Sequence, residues 1–426
     1  MTEEHGRPAR AVVASESPEV SVPEPWIARE DELICLGHEE DIDDQQGALA
    51  PPVVQTSLFA QADFDALVHN LGHEFRGRIY TRGNNPTVQA VEQKIAALER
   101  GSSARLFGSG MGAVNAALTG LVGAGDHVLF VGQTYGPTLQ LAQRMERFGV
   151  EHSVVFGVDL DTVAEAVRPT TKLLWLESPS TMVFQCFDLA AVIERVQERA
   201  QRRVWSVIDN SWATPLFQKP LQSGVDLVLH SATKYIGGHS DVVAGALVGN
   251  DELMERLFFD SFLLGGAALG PWDAWLLNRG LRTLPTRMRA HHRGGYEVAR
   301  FLTQRPEVKQ VFHPGLEAAP DDLDAEPTGL GGWSGLFSFE LDVDSDQTFA
   351  TVRRFLDALQ RFRLGVSWGG VESLAIAPAR EGNREALERQ GIPYATVRLS
   401  IGLEPADVLC ADLGRALDEA FAAESR

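Results

Sequence analysis

Short apolar runs alternate with helix-patterned stretches along much of the chain. Ala104–Phe107, His127–Val131, the run opening at Lys172, the run from Val204 to Asp209 and Leu227–Leu229 each read as a buried strand. A further apolar run, Val242–Val248, predicts one more strand. Between these runs, Thr87–Arg100 carries Val88, Val91, Ile95 and Leu98 on one face, behind a proline that suits a first helical turn. The Ala/Leu-rich stretch after Gly112, the stretch from Tyr135 to Gly149, and Ala190–Arg203 continue the helical pattern. Strand and helix in alternation, joined by short turns, predict an α/β fold with a parallel sheet covered on both faces. Ligands in such sheets sit beyond the carboxyl ends of the strands. Ser109, Tyr135, Glu177, Asp209 and Lys234 all fall at such ends.

After Asn250 the pattern becomes mostly helical, and a domain boundary is expected near Arg279–Gly280. The Pro/Asp/Glu/Gly-rich stretch 314–332 reads as an exposed loop. Phe337, Phe339, Leu341 and Val343 alternate as in a half-buried antiparallel strand. A helix near Phe349–Arg361 and a strand at Val397–Ile401 complete a smaller α+β domain. Residues 1–28 are polar, rich in Pro, Ser and Glu, and lack the apolar core of a signal peptide; they read as a mobile tail.

With 426 residues, 44% of them hydrophobic, the chain is long enough for a large core and two domains. A net charge of -20 disfavours nucleic acid and acidic membrane surfaces as partners, though a local donor cluster can still hold a small anion. No apolar run approaches the roughly 18 residues that a membrane helix requires. Cys35, Cys186 and Cys410 are far apart, form no metal-binding spacing, and fit a reducing cytoplasmic compartment; no metal is expected.

The chemistry centres on Asp226–Asn250, DLVLHSATKYIGGHSDVVAGALVGN. Lys234 stands between two apolar runs, and burial lowers a lysine's pKa and makes it a nucleophile toward an aldehyde. Ser231 and Thr233 beside it offer hydroxyls to a phosphate. An aldehyde and a phosphate in one ligand suggest pyridoxal 5'-phosphate (PLP); the plainer alternative is a solvated lysine in a turn. The Ser109-Gly110-Met111-Gly112 turn before a helix is a second anion site, since free backbone N–H groups point outward there. Asp209 follows Val207 and Ile208, so it needs a buried partner: a pyridine N–H, or a local hydroxyl. Tyr135 suits stacking on a ring or packing in the core. Arg82, beside the Gly-Asn-Asn-Pro turn, suits a phosphate or plain solvent. Arg398, inside an apolar strand, suits a substrate carboxylate or a structural ion pair, with Ser367 and Gly369-Gly370 as nearby donors.

Six motifs, YTRGNNPT, FGSGMGAV, IDNSWATPLF, HSATKYIGGHSD, SWGGVESL and VRLSIGLE, stand in this order. Together they resemble the Cys/Met-metabolism PLP enzymes of fold-type I, over about residues 33–420. The resemblance implies a mostly parallel seven-stranded sheet sandwiched by helices, with a smaller C-terminal α+β domain. It divides the chain into a tail (1–28), an arm contacting the neighbouring subunit (29–84), a PLP-binding domain (85–280) and a C-terminal domain (281–426). Lys234 is implied as the cofactor-binding lysine and proton shuttle, Asp209 as the partner of the ring nitrogen, and Tyr135 as the stacking and catalytic tyrosine. Gly110, Met111, Ser231 and Thr233 are implied as phosphate holders. Tyr80 and Arg82 are implied to reach the phosphate of a neighbouring subunit, hence a homotetramer built as a dimer of dimers with shared active sites. Ser367 and Arg398 resemble a carboxylate clamp for an amino-acid substrate. Thr181 stands where many relatives have asparagine near the cofactor's phenolic oxygen.

SWGG, with Trp368, and Tyr-Gly-Pro-Thr at 135–138 look like bacterial cystathionine β-lyases, so the leading expectation is α,β-elimination from a sulfur amino acid. YTRGNNPT looks more like the γ-type enzymes, and α,γ-elimination or γ-replacement, possibly with a non-sulfur leaving group, is the alternative. Val366 is apolar where relatives acting on cystathionine tend to be polar, which fits a less polar substrate tail. Pro137 replaces the cysteine that methionine γ-lyases carry near the tyrosine, which argues against that member.

Overall fold

The computed structural model describes residues 22–37, 48–316, 329–344 and 346–422. Most of the expected tail (1–21) and most of the expected loop (317–328) lie outside the described residues.

Seven strands form the large sheet: β1 (Ser103–Phe107), β2 (His127–Val131), β3 (Glu151–Val155), β4 (Thr171–Leu176), β5 (Trp205–Asp209), β6 (Leu227–His230) and β7 (Gly245–Gly249). Their order is β1-β7-β6-β5-β4-β2-β3. Strands β3, β2, β4, β5 and β6 pair in parallel. β7 runs antiparallel to both β6 and β1, which leaves β1 in the common direction. The near-continuous apolar runs follow from burial on both faces. Within β2, Val128 and Phe130 enter one core with Phe107 and Trp175, while Leu129 and Val131 enter the other with Leu174 and Ile208. The expected strand at Val242 starts three residues later, at Gly245. Before it, Ala244 is tied to Thr233 by hydrogen bonds in both directions, which holds Val242–Ala244 out of the ladder.

Two helices position the ligand end of the sheet. Pro86–Glu99 starts on Asn85, whose side chain accepts from Thr87 N. Gly110–Leu121 starts on Ser109, whose hydroxyl accepts from Gly112 N at 2.9 Å. A 32-residue helix, Pro271–Leu302, runs straight through the expected boundary at 279–280. It packs on the helices Arg29–Leu36 and Pro86–Glu99 and on the C-terminal helix Ala406–Ala422, so it joins the two parts of the chain. Gly280 makes the closest approach: a Cβ there would stand 2.3 Å from Ile236 O and 2.6 Å from Gly237 O. Arg287, one helical face on, donates to Tyr235 O at 2.7 Å, so this helix clamps the turn that carries Lys234.

The second sheet comprises β8 (Val308–Phe312), β9 (Leu336–Leu341), β10 (Arg363–Leu364), β11 (Leu374–Ile376) and β12 (Thr396–Ser400), in the order β10-β11-β12-β9-β8. β9 was expected to be half-buried, yet all six of its residues are buried. It is an inner strand, paired with β12 and β8, with the Pro271–Leu302 helix against it, so its polar positions, such as Ser338, are buried too. No described helix is long and apolar enough to cross a membrane.

Candidate active site

A cavity of about 270 Å³ opens at the carboxyl ends of the parallel strands. Each turn that leaves a strand contributes one part of it: Ser109-Gly110-Met111 after β1, Tyr135 after β2, Glu177 and Thr181 after β4, Asp209 and Ser211 at β5, and Ser231, Thr233 and Lys234 after β6. The second sheet closes the far side with Val366, Trp368 and Arg398. Residues dispersed over 126 positions of sequence, Ser109 to Lys234, thus meet because one sheet edge collects them.

Lys234 Nζ donates to Ser367 Oγ at 2.8 Å and lies 5.3 Å from the centroid of the Trp368 ring. Burial, helped by the nearby Arg398 and opposed by Asp209, lowers its pKa from 10.5 to about 8. The Trp368 loop touches the lysine's own backbone: at Gly369, φ is +84° and a Cβ would stand 2.8 Å from Tyr235 N and 2.9 Å from Lys234 C. Only glycine allows both the conformation and the approach.

Asp209 accepts two bonds on one oxygen, Oδ1, from Ser211 N at 3.0 Å and Ser211 Oγ at 2.6 Å. Burial pushes its carboxyl above the usual range, against those two bonds and the charges of His230 and Lys234. Glu177, across the cavity, is pushed up to about 8 by burial and then by Asp209. Arg398 is 9% exposed, and burial lowers its guanidinium to about 10. Its NH2 donates to Val366 O at 3.1 Å.

The residues present fit PLP. A helix of 12 residues points its N-terminus into the cavity, and the Ser109 cap takes Gly112 N, so the Gly110 and Met111 amides are left for an anion. A Cβ on Gly110 would stand 3.0 Å from Ser231 Oγ, so only glycine brings that amide and that hydroxyl into one cradle. A lysine with a depressed pKa and a carboxylate held by one oxygen complete a donor set for an aldehyde and a ring N–H. Thr233 is the tightest constraint: its hydroxyl donates to Ala244 O at 3.1 Å and accepts from Ala244 N at 2.9 Å, so a phosphate oxygen must compete for that hydrogen.

Of the residues expected at the site, Gly110, Met111, Tyr135, Thr181, Asp209, Ser231, Thr233, Lys234, Val366, Trp368 and Arg398 line the cavity. Ser367 reaches it through Lys234. Tyr80 and Arg82 do not line it; Tyr80 is 45% exposed, and the Arg82 guanidinium lies 5.3 Å from its ring centroid. Sequence reasoning gave no role to Ser211, although a serine two residues after an aspartate is a common local hydrogen-bond partner. It also gave none to Phe184, Trp212 or Val243, which line the cavity as apolar wall and carry no sequence signal of it.

The Cys/Met metabolism PLP-dependent enzyme profile matches residues 32–418. The L-methionine gamma-lyase of Fusobacterium nucleatum subsp. polymorphum is 37% identical over 379 residues, covering 88% of this chain and 94% of the relative. The cystathionine gamma-synthase of Mycobacterium tuberculosis is 38% identical over 382 residues, covering 88% and 93%. The crystal structure of cystathionine gamma synthase from Xanthomonas oryzae pv. oryzae, in complex with aminoacrylate and cysteine, superposes with a TM-score of 0.82 at 35% identity, covering 92% of this chain and 98% of that one. These relatives carry γ-type names, which matches the alternative rather than the leading expectation of the sequence reading, within the same carbon–sulfur chemistry. This chain belongs to the Cys/Met metabolism family of PLP-dependent enzymes, and PLP is its cofactor.

Proposed function

We propose that the protein breaks or exchanges the bond at Cγ of a sulfur amino acid. The γ-type names of relatives that span nine-tenths of the chain carry this reading. When bound, PLP supplies an aldehyde for the amino groups of lysine and substrate, and a ring that withdraws electrons from Cα. Lys234 holds the cofactor, then takes the Cα proton, and in γ-chemistry it moves a second proton at Cβ. Its pKa of about 8 favours such shuttling near neutral pH. Asp209 keeps a proton on the ring nitrogen, and Ser211 fixes the carboxylate through Oδ1. The amides of Gly110 and Met111 and the hydroxyls of Ser231 and Thr233 hold the phosphate. Tyr135 would stack on the cofactor ring and assist at the leaving group, and Thr181 would hold the phenolic oxygen; both line the cavity. Arg398, with Ser367, clamps the substrate carboxylate, while Trp368 and Val366 form the wall beside it.

Tyr80 and Arg82 serve a neighbouring subunit's cofactor in a homotetramer, a dimer of dimers with shared active sites. Their exposure, and that of Leu58, Phe64, Val68 and Leu71 in the same arm, supports this assembly. The proposed division is 1–28 tail, 29–84 arm, 85–280 cofactor domain and 281–426 C-terminal domain, with the Pro271–Leu302 helix bridging the last two. Cys35, Cys186 and Cys410 form no disulfide among the described residues, which supports a cytoplasmic location.

A second reading is α,β-elimination, favoured by the SWGG motif, whose Trp368 ring lies under Lys234 Nζ. The keto acid released from cystathionine and from methionine separates the two. 2-Oxobutyrate supports Cγ chemistry, and pyruvate from cystathionine supports Cβ cleavage.

A further inference from the structure

Glu177 is a half-buried carboxyl lining the cavity that the proposed chemistry leaves without a task. It stands immediately after β4, and its Oε2 accepts from Tyr135 N at 2.8 Å, across 42 residues of sequence. Thr181 lies close enough to lower the pKa of this carboxyl against the effect of burial. Tyr135 is the N-cap of the helix Gly136–Met145 and makes no side-chain cap bond of its own, so Glu177 satisfies a donor at that helix start. The neighbouring ties are of a different kind. Thr181 N donates to Gln133 O at 3.0 Å, and Ser180 Oγ donates to Gln133 Oε1 at 2.8 Å. Gln133 Nε2 reaches the second lobe at Gln390 O, 2.9 Å away. These bonds fix the turn at Gln133, two residues before the ring that faces the cavity. The bond from Glu177 fixes it at Tyr135 itself. The segment behind Thr181 is strained, with left-handed φ at Met182 (+66°) and Phe184 (+50°). A strained turn keeps its shape only where neighbouring bonds over-determine it.

We propose that Glu177 is a positioning residue: its carboxyl group holds the Tyr135 amide at the start of the helix Gly136–Met145, and so sets where the Tyr135 ring and hydroxyl stand in the cavity. The inference rests on the role of Tyr135 given above. Placing a second carboxyl near Asp209 in a buried cavity is costly, and a surface tie would not require it. The acceptor must reach the Tyr135 amide from the end of β4, and a side chain of glutamate length does so.

The test uses the full chain loaded with PLP. Glu177→Leu removes the acceptor, Glu177→Gln keeps it without the charge, and Tyr135→Phe removes the hydroxyl. E177L is expected to lower kcat about tenfold or more, since a small misplacement of a catalytic group has that scale of effect, while KM for substrate stays nearly constant. The visible circular-dichroism band of the bound cofactor should weaken in E177L and return in E177Q, along with most of kcat. The double variant E177L/Y135F should be no worse than the more damaged single, because both changes act on one group. If E177L does not fold, Glu177→Asp takes its place: its carboxylate falls one methylene short of the Tyr135 amide, and the same losses are expected. Wild-type kcat and dichroism in E177L or E177D, with Y135F impaired, would overturn the inference alone. Wild-type kcat in Y135F would overturn the reading of Tyr135 on which it rests. Equal losses in E177L and E177Q, additive with Y135F, would show a charge effect independent of the tyrosine and overturn the inference.

Discussion

Arg398 offers a quantitative test of the substrate clamp. It sits on β12 with its guanidinium buried, and burial depresses its pKa to about 10. Among the described residues no carboxylate pairs with it; the bond it makes is to Val366 O. A buried guanidinium with donors to spare is costly in the free protein and is repaid when an anionic ligand binds. Arg398→Met keeps the apolar stem and removes the charge, so packing is largely preserved. Removing one partner of a desolvated, charge-assisted pair costs roughly 2–5 kcal/mol, which is about 30-fold to 5,000-fold in substrate affinity. The melting temperature should stay level or rise, because a desolvated charge has been removed. Titrating the cofactor's absorbance with substrate or a carboxylate-bearing inhibitor measures the affinity, and a thermal melt in parallel measures the fold. Unchanged affinity would refute the clamp. Weakened affinity with a melting temperature lowered in proportion would mean that Arg398 is a structural residue.

Lys234 should capture PLP in a pH-dependent way. The free amine is the nucleophile, and its folded pKa lies at about 8, below the ordinary 10.5. Capture by the apo chain should therefore accelerate up to about pH 8 and level off above it; an unbroken climb to pH 10 would contradict the shift. In R398M the midpoint should move up, since Arg398 is one cause of the depression. Gly280→Ala drives a Cβ against two backbone carbonyls of the Lys234 turn and should cost roughly 1–3 kcal/mol by overpacking, read as a lower melting temperature. A wild-type melt would mean that the helix slides away freely. Ser211→Ala removes one of two bonds on Asp209 Oδ1 and should weaken PLP retention on dialysis, with little change in the fold.

The large sheet was legible because parallel strands buried on both faces read as apolar runs, and β2 was found at its observed limits, His127–Val131. Much of the site was legible for the same reason: the shared direction of β1, β2, β4, β5 and β6 sends their carboxyl ends to one edge, so residues at those ends are candidates together. The second sheet was harder. β10 has two residues and β11 three, too short for a period, and β8 carries Lys309 and Gln310 among its five. Glu177 stood at a strand end without a role, because its use depends on an amide 42 residues away. The continuity of Pro271–Leu302 was hidden by a composition shift near Gly280 and by Pro285 inside the helix, where the packing of both lobes overrides the local preference.

The central claim is that the ε-amine of Lys234 forms the imine with PLP. Borohydride reduction of the loaded enzyme, followed by peptide mass spectrometry, fixes that bond where it stands. The account predicts a reduced pyridoxyl adduct on the peptide carrying Lys234 and no comparable adduct in K234A. An adduct on another lysine, or an undiminished visible absorbance band in K234A, would contradict it.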